Sequence, residues 1–306
     1  MPMSKVVKHR KPRLMVVGAR GFLGRFVCEV AEAEFTVIRA DRTLRDAGTD
    51  VLLDLVDPGS IGQAFREASP DAVVLLAAIS DIDRCERKPE EEVAVNLTGA
   101  VNVARACAAV GACLLFTSTG AVFDGKKLGY SEADPVSPLS IYGRTKADAE
   151  REIQAIVPDA IILRVSLVLG RTGNHTTNSV VDNLIARWNR GEVVNASTVE
   201  SRNPIDARTL AMWIVELLLK SDGCGIYNAG STDAWTRFQI AAAMAERLHF
   251  PESLVQPQLS ASTLRAPRGL HQLLLPDKIR RVCSTPPPNT EGVIERSLHA
   301  PAQGGS

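Results

Sequence analysis

Tyr142 and Lys146 are the two residues whose types and spacing point most directly to chemistry. They lie four positions apart in the helix-like stretch Ile141–Ile156, so their side chains would share one helix face. A phenol ordinarily titrates near about pH 10, and a neighbouring cation favours the phenolate and lowers that pKa. The pair is therefore a candidate acid–base group for a carbonyl substrate. A surface helix start would produce the same spacing by chance.

Two hydroxyl residues precede this pair in the chain. Ser118 ends the apolar run Ala112–Ser118, which has the composition of a buried strand, and Thr119 follows directly. In an open parallel sheet, ligands bind in the crevice at the carboxyl ends of the strands. The two hydroxyls would meet the phenol and the ammonium group there, so they are candidates to hold a carbonyl oxygen.

The segment Val16–Gly24 has the sequence V-V-G-A-R-G-F-L-G and lies between an apolar run and a helical stretch. Gly18 suits a tight turn, Gly21 the close approach of a pyrophosphate, and Gly24 the packing of helix on strand. Free backbone N–H groups and the positive end of the helix dipole would point at one phosphate. Glycines in such a turn also occur without a ligand. Further candidate cofactor contacts in this loop are Arg20, Phe22 and Leu23.

Asp41 ends the next apolar run and is the candidate partner of the cofactor's ribose. Its carboxylate favours NADH because it would repel a 2′-phosphate, whereas the guanidinium groups of Arg42 and Arg20 favour NADPH. The sequence therefore leaves NADPH and NADH both open. Asp54 ends a third apolar run, where it is either a contact for the adenine amine or a loop-capping aspartate.

Strand-like and helix-like stretches alternate along the chain, which is the pattern of a parallel sheet covered on both faces. The predicted strands are Leu14–Val17, Phe35–Ala40, Val51–Leu55, Ala72–Ala78, Ala112–Ser118, Ala160–Gly170 and Gly225–Ala229. The predicted helices are Phe22–Ala33, Ile61–Ala68, Glu91–Val110, Ile141–Ile156, Ser179–Asn189, Ala207–Lys220 and Arg237–Leu248.

This alternation predicts an α/β fold, a doubly wound parallel sheet of the Rossmann type with a smaller C-terminal substrate-binding lobe. The predicted NAD(P)-binding domain spans 12–170, and 207–230 returns to it. The remaining predicted parts are a substrate-binding lobe at 171–206 and 231–284, and flexible tails at 1–11 and 285–306.

The composition narrows the class of partner. The chain has 35 basic and 35 acidic residues and a formal net charge of zero, which gives no electrostatic footprint for nucleic acid. No uninterrupted apolar run approaches the roughly 18–20 residues of a membrane span, so we expect no membrane association. The six cysteines lack CxxC spacing and the five histidines lack metal-ligand spacing. We therefore expect reduced thiols, no metal site and a cytoplasmic protein.

Together these features resemble the extended short-chain dehydrogenase/reductases over nearly all of residues 12–280. Within that superfamily the chain is most similar to the dTDP-4-dehydrorhamnose reductase family and its nucleotide-sugar reductase relatives. The family's Ser-Thr-Asp-Tyr-Val-Phe-Asp-Gly stretch matches Ser118–Gly125 except at Gly120 and Ala121. Other matching pieces are Asp54-Leu55, Leu76-Ala77-Ala78, Ile82-Asp83-x-Cys85-Glu86, Val95-Asn96, Leu163-Arg164 and Arg202-Asn-Pro-Ile205.

The resemblance implies an NAD(P)H-dependent reductase of a nucleotide-activated 4-keto sugar. Tyr142 would donate a proton to the ketone oxygen, and Lys146 would lower the tyrosine pKa and bind the nicotinamide ribose. Thr119, with Ser118 as the second candidate, would hold the ketone oxygen. Asn96 would position Lys146 through its backbone or a water molecule, or be a locally capped helix residue. The implied cofactor contacts also include Leu55, Ala77 and Ala78. The implied substrate contacts are Ser80, Arg202 and Arg268. Each of the two arginines either binds the substrate diphosphate or forms an ordinary ion pair.

Two departures from the family pattern concern the substrate. The family's Asp-Tyr pair is Gly120-Ala121 here, and its Arg-Pro-x-Asn-Ser segment is Arg268-Gly-Leu-His-Gln272. Specificity for the rhamnose precursor therefore does not follow from the resemblance, although the reductase core does. Two other functions stay open: an NAD-dependent nucleotide-sugar epimerase, and a non-catalytic regulatory subunit such as the methionine adenosyltransferase β subunit, which resembles the same reductases.

Two helical stretches also bear on assembly. Glu91–Val110 and Ile141–Ile156 carry apolar residues beyond a single face. The resemblance implies that these helices pair between two copies of the chain, so we expect a homodimer.

Overall fold

The computed structural model describes residues 10–43, 50–173, 179–220, 222–259 and 266–299. Most of the predicted N-terminal tail and the last part of the predicted C-terminal tail lie outside these described residues.

A seven-stranded parallel sheet forms the centre of the described chain. Its strands are β1 (Arg13–Val17), β2 (Thr36–Asp41), β3 (Val51–Leu52), β4 (Ala72–Leu75), β5 (Cys113–Thr119), β6 (Ile161–Val165) and β11 (Gly225–Ala229). From one edge to the other, the order is β11-β6-β5-β4-β1-β2-β3. The chain therefore changes direction across the sheet between β1 and β4. Ligands in doubly wound sheets bind at the carboxyl ends of the strands beside such a reversal.

Helices cover both faces of the sheet because its strands are apolar on both faces. In β1, Leu14 and Val16 belong to one buried apolar cluster, whereas Met15 and Val17 belong to the other. The first cluster includes residues of α1 and α8, and the second includes residues of α2, α5 and α6. These helices are α1 (Phe22–Ala31), α2 (Pro58–Ala68), α5 (Ala100–Val110), α6 (Ile141–Ile156) and α8 (Ala207–Leu219).

The predicted doubly wound sheet is confirmed, with differences at the ends of some elements. The strand predicted over Val51–Leu55 ends at Leu52, and the one over Ala72–Ala78 ends at Leu75. The run Ala160–Gly170 is two strands, β6 and β7 (Leu167–Leu169), which are separated at Ser166. The Ser166 hydroxyl donates a hydrogen bond to the carbonyl oxygen of Gln272 at 2.8 Å. This break turns the chain out of the central sheet and toward the C-terminal segment.

The predicted helix Glu91–Val110 is part of a longer continuous helix that begins at Pro89. Residues Pro89–Glu92 (α4) lead into a π-helical segment, Val93–Gly99, and then into α5. The stretch Pro89–Val110 is long and apolar enough to cross a membrane by length and composition, with a mean hydropathy of 1.4. This is weak evidence, because a core helix meets the same criterion. Asn96, Val103 and Cys107 of this helix are buried inside the fold.

The remaining elements lie mostly beyond the sixth strand. Three small sheets complete the described strands. One pairs β7 with β10 (Pro204–Asp206), and another pairs β8 (Val194–Ser197) with β13 (Val255–Gln258). In the third, β9 (Ser201–Arg202) pairs with both β12 (Trp235–Thr236) and β14 (His271–Gln272). Leu163 and Trp188 belong to one apolar core, although they lie in different predicted domains. The division into two domains stays a prediction. Helices α7 (Val180–Asn189), α9 (Arg237–Arg247) and α10 (Asp277–Val282) also lie here, whereas α3 (Ile82–Arg87) lies earlier in the chain.

The prediction of a flexible tail from residue 285 is wrong for α11 (Thr290–Leu298). Val293 and Ile294 are fully buried in the same core as the central sheet. At the start of the helix, the Thr290 backbone N–H donates to Asp233 Oδ1 at 2.6 Å. The preceding prolines and the few apolar residues of this short segment gave no periodic pattern by which the helix could be recognised.

We expect Ile294→Ala to lower the free energy of unfolding by about 2–5 kcal/mol, because it leaves a cavity in the core. Urea denaturation followed by far-ultraviolet circular dichroism measures this change. Glu295→Ala, at the next and exposed position of the same helix, is the matched control and should change stability little. Equal stability of the two variants would show that α11 does not contribute to the core.

Candidate active site

The glycine-rich loop has the geometry of a phosphate-binding turn. Gly18 has a φ of +89°, and its N–H donates to the carbonyl oxygen of Ala40 at 2.9 Å. A Cβ atom at Gly24 would overlap the carbonyl oxygen of Gly18, so the helix can approach the strand only with glycine there. Gly21 caps α1 without a side-chain hydrogen bond to the first turn. The first N–H groups of α1 can therefore serve an anion, and this loop fits the diphosphate of a dinucleotide.

Asp41 lies against this loop, as the sequence predicts. Its carboxylate accepts hydrogen bonds from the backbone N–H groups of Arg20 (3.3 Å) and Arg42 (2.8 Å). These bonds fix the carboxylate at the end of β2, beside the exposed Arg42 side chain. Asp54 accepts a hydrogen bond from the N–H of Val56 at 3.1 Å, so it does cap its own loop. Both aspartates also line the cleft described next.

A single large cleft brings together nearly all the residues that the sequence singles out. Its volume of about 1450 Å³ exceeds the roughly 300–1,000 Å³ typical of a pocket for one small ligand, so it has room for two ligands side by side. Asn96 is the predicted site residue that does not line the cleft. The predicted residues that line the cleft are Gly18, Arg20, Gly21, Phe22, Leu23, Gly24, Asp41, Arg42, Asp54, Leu55, Ala77, Ala78, Ser80, Ser118, Thr119, Tyr142, Lys146, Arg202 and Arg268.

Tyr142 and Thr119 meet at the carboxyl end of β5. Ser140 caps α6 by accepting a hydrogen bond from the Gly143 N–H at 3.1 Å, which places Tyr142 in the first helical turn. A Cβ atom at Gly143 would overlap the carbonyl oxygen of Ala121, so α6 packs directly on the turn after Thr119. The Thr119 hydroxyl lies near enough to the Tyr142 phenol to lower the pKa of that phenol. The phenol and the hydroxyl can thus contact the same substrate oxygen.

Burial shifts the pKa values of both members of the Tyr–Lys pair. Loss of solvent raises the pKa of Tyr142 to about 12, although the neighbouring Thr119 hydroxyl opposes this shift. Loss of solvent also lowers the pKa of Lys146 to about 7, against the attraction of Glu150 and Glu92. The expectation of a lowered tyrosine pKa is therefore wrong for this structure, because burial has the larger effect. The phenol is held in its protonated form, which is the form that can donate a proton to a carbonyl oxygen.

Lys146 is nearly inaccessible to solvent and is positioned by strand β5. Its Nζ donates a hydrogen bond to the carbonyl oxygen of Thr117 at 2.6 Å and lies 3.8 Å from the centre of the Phe116 ring. The carbonyl and the ring face both favour a cation at this position. They hold the amine one helical turn from Tyr142, at the floor of the cleft.

Ser118 has a different role from the one expected as a second carbonyl-binding hydroxyl. Its hydroxyl donates to the Glu150 carboxylate, which also forms a buried ion pair with Arg164 (Nη2 to Oε2, 2.7 Å). The Ser118 hydroxyl thereby serves a charge network beneath the cleft. Thr119, whose Oγ1 accepts a hydrogen bond from the Ala121 N–H at 3.1 Å, is the hydroxyl beside the phenol.

The Asn96 side chain makes no hydrogen bond to Lys146 among the described residues, and its positioning of Lys146 through the backbone or a water molecule stays a prediction. Its side chain instead clamps the backbone of Ile79, accepting from the N–H and donating to the carbonyl oxygen, each at 2.8 Å. It also donates to Glu92 Oε1 at 2.9 Å. The clamp sets the course of the chain as it leaves β4 along the cleft.

Glu92 is a functional neighbour that the sequence did not reveal. It is fully buried, and its Oε1 accepts hydrogen bonds from Asn96 and from the Thr145 hydroxyl, between Tyr142 and Lys146 in sequence. Its Oε2 has no hydrogen-bond partner among the described residues. Burial raises the pKa of Glu92 above its ordinary value, against the hydrogen bonds and the attraction of Lys146. In the sequence it sits in the charged run Arg84–Glu92, which is typical of an exposed helix start.

The two arginines proposed as diphosphate ligands are both engaged with acids at the edge of the cleft. Arg202 is 4% exposed and forms an ion pair with Glu200 at 3.3 Å. Arg268 binds Asp83 through two hydrogen bonds of 3.1 and 2.8 Å. The ordinary ion pairs that the sequence left open are therefore present. Arg237 and Gln272 also line the cleft, although the sequence stretches that contain them carry no motif.

This fold and this site define an oxidoreductase of the extended short-chain dehydrogenase/reductase type. The family model described as "RmlD substrate binding domain" matches residues 12–301. The chain belongs to this family, which confirms the resemblance drawn from the sequence.

Individual relatives agree with this assignment. A dTDP-4-dehydrorhamnose reductase of Mycobacterium tuberculosis is 31% identical over 302 residues, which cover 96% of this chain and 94% of that protein. Methionine adenosyltransferase 2 subunit beta of Xenopus laevis is 27% identical, over 88% of this chain and 82% of that protein. The crystal structure of a Bacillus anthracis dTDP-4-dehydrorhamnose reductase in complex with NADP has a TM-score of 0.85 and 25% identity, and covers 94% of this chain and 99% of that chain.

We expect Glu92→Gln to flatten the pH dependence of stability. The native protein holds a proton on Glu92 above the ordinary carboxyl pKa of 4.5, where the unfolded chain has lost it. The stability of the wild type should therefore fall as the pH rises from 4.5 through the raised pKa. Glutamine can accept the same two hydrogen bonds and cannot ionise.

Urea unfolding between pH 5 and pH 8 tests this expectation. The Gln variant should be at least as stable as the wild type at pH 8, and the difference should shrink at pH 5. Glu90→Gln, which changes an exposed glutamate of the same helix, is the control. A Gln variant that parallels the wild type at every pH would contradict a raised pKa.

Proposed function

We propose that the protein reduces a nucleotide-activated 4-keto sugar with NADPH or NADH. The observation that carries the proposal is the meeting of Thr119, Tyr142 and Lys146 in the same cleft as the glycine-rich loop. The relatives named as dTDP-4-dehydrorhamnose reductases support the substrate class. The departures at Gly120 and Gln272 leave the identity of the sugar to experiment.

Reduction needs a proton at the ketone oxygen and stabilisation of the charge that develops there. The bound nicotinamide cofactor supplies the hydride. Tyr142, protonated at neutral pH, donates its phenolic proton to the ketone oxygen, while the Thr119 hydroxyl bonds to the same atom. Lys146, fixed on the Thr117 carbonyl, places a positive charge behind the phenol and so favours the phenolate that remains.

The cofactor would lie along the first half of the cleft. The N–H groups at the start of α1 would bind its diphosphate, and the Asp41 carboxylate would accept hydrogen bonds from ribose hydroxyls. Arg42 and Arg20 lie beside this carboxylate and favour a 2′-phosphate. Because both chemistries are present, we propose that the protein accepts both NADPH and NADH. The B. anthracis relative in complex with NADP is consistent with this proposal.

The sugar nucleotide would occupy the other half, between Ser80, Arg202 and Arg268. For the arginines to bind its diphosphate, they must share or exchange their bonds with Glu200 and Asp83. Arg237, at the N-terminus of α9, adds a further positive charge to this part of the cleft. We propose these four residues as the substrate-binding group.

A regulatory subunit is the second candidate, because a methionine adenosyltransferase 2 subunit beta is 27% identical over 88% of the chain. A protein of that kind needs the fold without turnover. The neighbouring Thr119 and Tyr142 side chains and the buried Lys146 favour an enzyme. An epimerase would use the same groups, but it would leave the cofactor without net change. Net oxidation of the cofactor distinguishes the reductase from both alternatives.

We also propose a cytoplasmic homodimer. The described cysteines are all free thiols, which suits a reducing compartment. On the long helix, Val93 and Val110 are 37% and 53% exposed, and they are candidates for an interface between copies. Helix α6 packs beside α5, and we propose that both helices pair with their counterparts on a second copy.

We expect Tyr142→Phe to lower kcat by roughly 100-fold or more, because it removes the proton donor. The measurement is the loss of the reduced-nicotinamide absorbance of NADPH and of NADH with a panel of nucleotide-linked 4-keto sugars. Cofactor affinity and unfolding midpoint should stay close to those of the wild type. Turnover by the Phe variant at the wild-type rate would exclude Tyr142 as the acid. Cofactor binding by the wild type without net oxidation would favour the epimerase or the regulator.

We expect sedimentation velocity to show a dimer at micromolar concentration, and Val110→Asp to shift it toward monomer by placing a charge in the interface. Leu128→Asp is the matched control, because Leu128 is 77% exposed and belongs to neither helix. Purely monomeric wild-type protein would refute the proposed assembly.

A further inference from the structure

Gln272 is held at the substrate end of the cleft by a segment far away in sequence. It is the second residue of β14, and it pairs with Arg202 of β9. Its carbonyl oxygen accepts the hydrogen bond from the Ser166 hydroxyl at 2.8 Å. The backbone of Gln272 is therefore fixed from two sides, which also restricts where its side chain can reach.

The side chain of Gln272 lines the cleft. The residue is 6% exposed overall, but its carboxamide atoms are not closed off from the cleft. The carboxamide makes no hydrogen bond to another residue that the structure describes. A carboxamide that faces a substrate cleft in this way is available to bind a ligand or a water molecule.

The base of the Gln272 side chain packs against Gly120, the residue that follows Thr119. A Cβ atom at Gly120 would be 3.6 Å from the Cβ of Gln272 and 3.6 Å from both methyl groups of Leu274. Both residues are departures from the family pattern, in which an aspartate stands at position 120 and a serine at position 272. At position 120, glycine stands in place of a charged aspartate, and at position 272, the longer neutral glutamine stands in place of serine. The two departures therefore form one local exchange.

We infer that Gln272 is the residue that determines sugar specificity, by hydrogen bonding to a neutral oxygen substituent on the carbon next to the reacting carbonyl. The inference rests on the proposed function. Thr119 bonds to the ketone oxygen, so its neighbour Gly120, and Gln272 against it, face the adjoining ring carbon. A carboxamide both donates and accepts, so it binds a hydroxyl group or an amide carbonyl, whereas a carboxylate only accepts. A ligand without that oxygen leaves the amide unpaired.

The test compares two keto-sugar nucleotides that differ only in the hydroxyl group beside the ketone. The wild type should prefer the hydroxylated substrate in kcat/KM by roughly 10-fold or more. Gln272→Ala should abolish this preference, mainly through KM, and leave the affinity for NADPH unchanged. Gln272→Glu, of the same shape, should retain binding to the hydroxyl but reject a substrate that presents an amide carbonyl there. Gln256→Ala, at an exposed glutamine of β13, is the matched control.

Titration calorimetry separates this inference from the proposed reductase activity. In the presence of oxidised cofactor, the wild type should bind the nucleotide sugar more tightly than Gln272→Ala, whereas both should bind the nucleoside diphosphate equally. This result without net cofactor oxidation would retain the role of Gln272 and refute the reductase. Turnover of both sugars by Gln272→Ala with the wild-type ratio would overturn the role of Gln272 and leave the reductase standing. Failure of the wild type to bind any nucleotide sugar would overturn both.

Discussion

The close contact between α6 and the end of β5 is the constraint on which the catalytic geometry depends. At Gly143 the helix backbone lies so near the Ala121 carbonyl that no side chain fits between them. This contact brings the first turn of α6 to the carboxyl edge of the sheet, and Tyr142 to Thr119. One turn later, the same helix places Lys146 on the carbonyl oxygen of Thr117. A small displacement of α6 would move Tyr142 away from Thr119 and Lys146 away from the Thr117 carbonyl.

The buried charges behind this contact shape its electrostatics. Glu150 is paired with Arg164 and also receives the Ser118 hydroxyl, so its negative charge is largely neutralised. Glu92 forms no ion pair with a described residue, and burial raises its pKa against the attraction of Lys146. Lys146 lies between these acids, in an environment that itself lowers the pKa of the amine. In a region of low dielectric, each of these groups affects the others more strongly than it would in water. The region therefore favours a protonated phenol until a substrate oxygen can take the proton.

The substrate half of the cleft is built from segments that are distant in sequence. The C-terminal segment crosses the loop after β5 where Gly125 and Gly269 lie in contact. The His271 N–H donates to the Gly125 carbonyl oxygen at 3.1 Å, and Arg268 of the same segment binds Asp83. The segment thus connects the two sides of the cleft. A substitution at position 272 can therefore act directly beside Thr119.

The sequence by itself determined the doubly wound sheet, the glycine-rich loop, Asp41 and the Thr119–Tyr142–Lys146 group. Each of these depends on local periodicity or on short spacing, and both properties can be recognised along the chain. Only the tertiary structure decided the roles of Ser118, Asn96 and Glu92, the ion pairs of Arg202 and Arg268, and the burial of α11. These depend on contacts between residues far apart in sequence, and on the desolvation that reversed the expected shift of the Tyr142 pKa. No local pattern records which distant side chain will stand opposite a hydroxyl or a carboxylate.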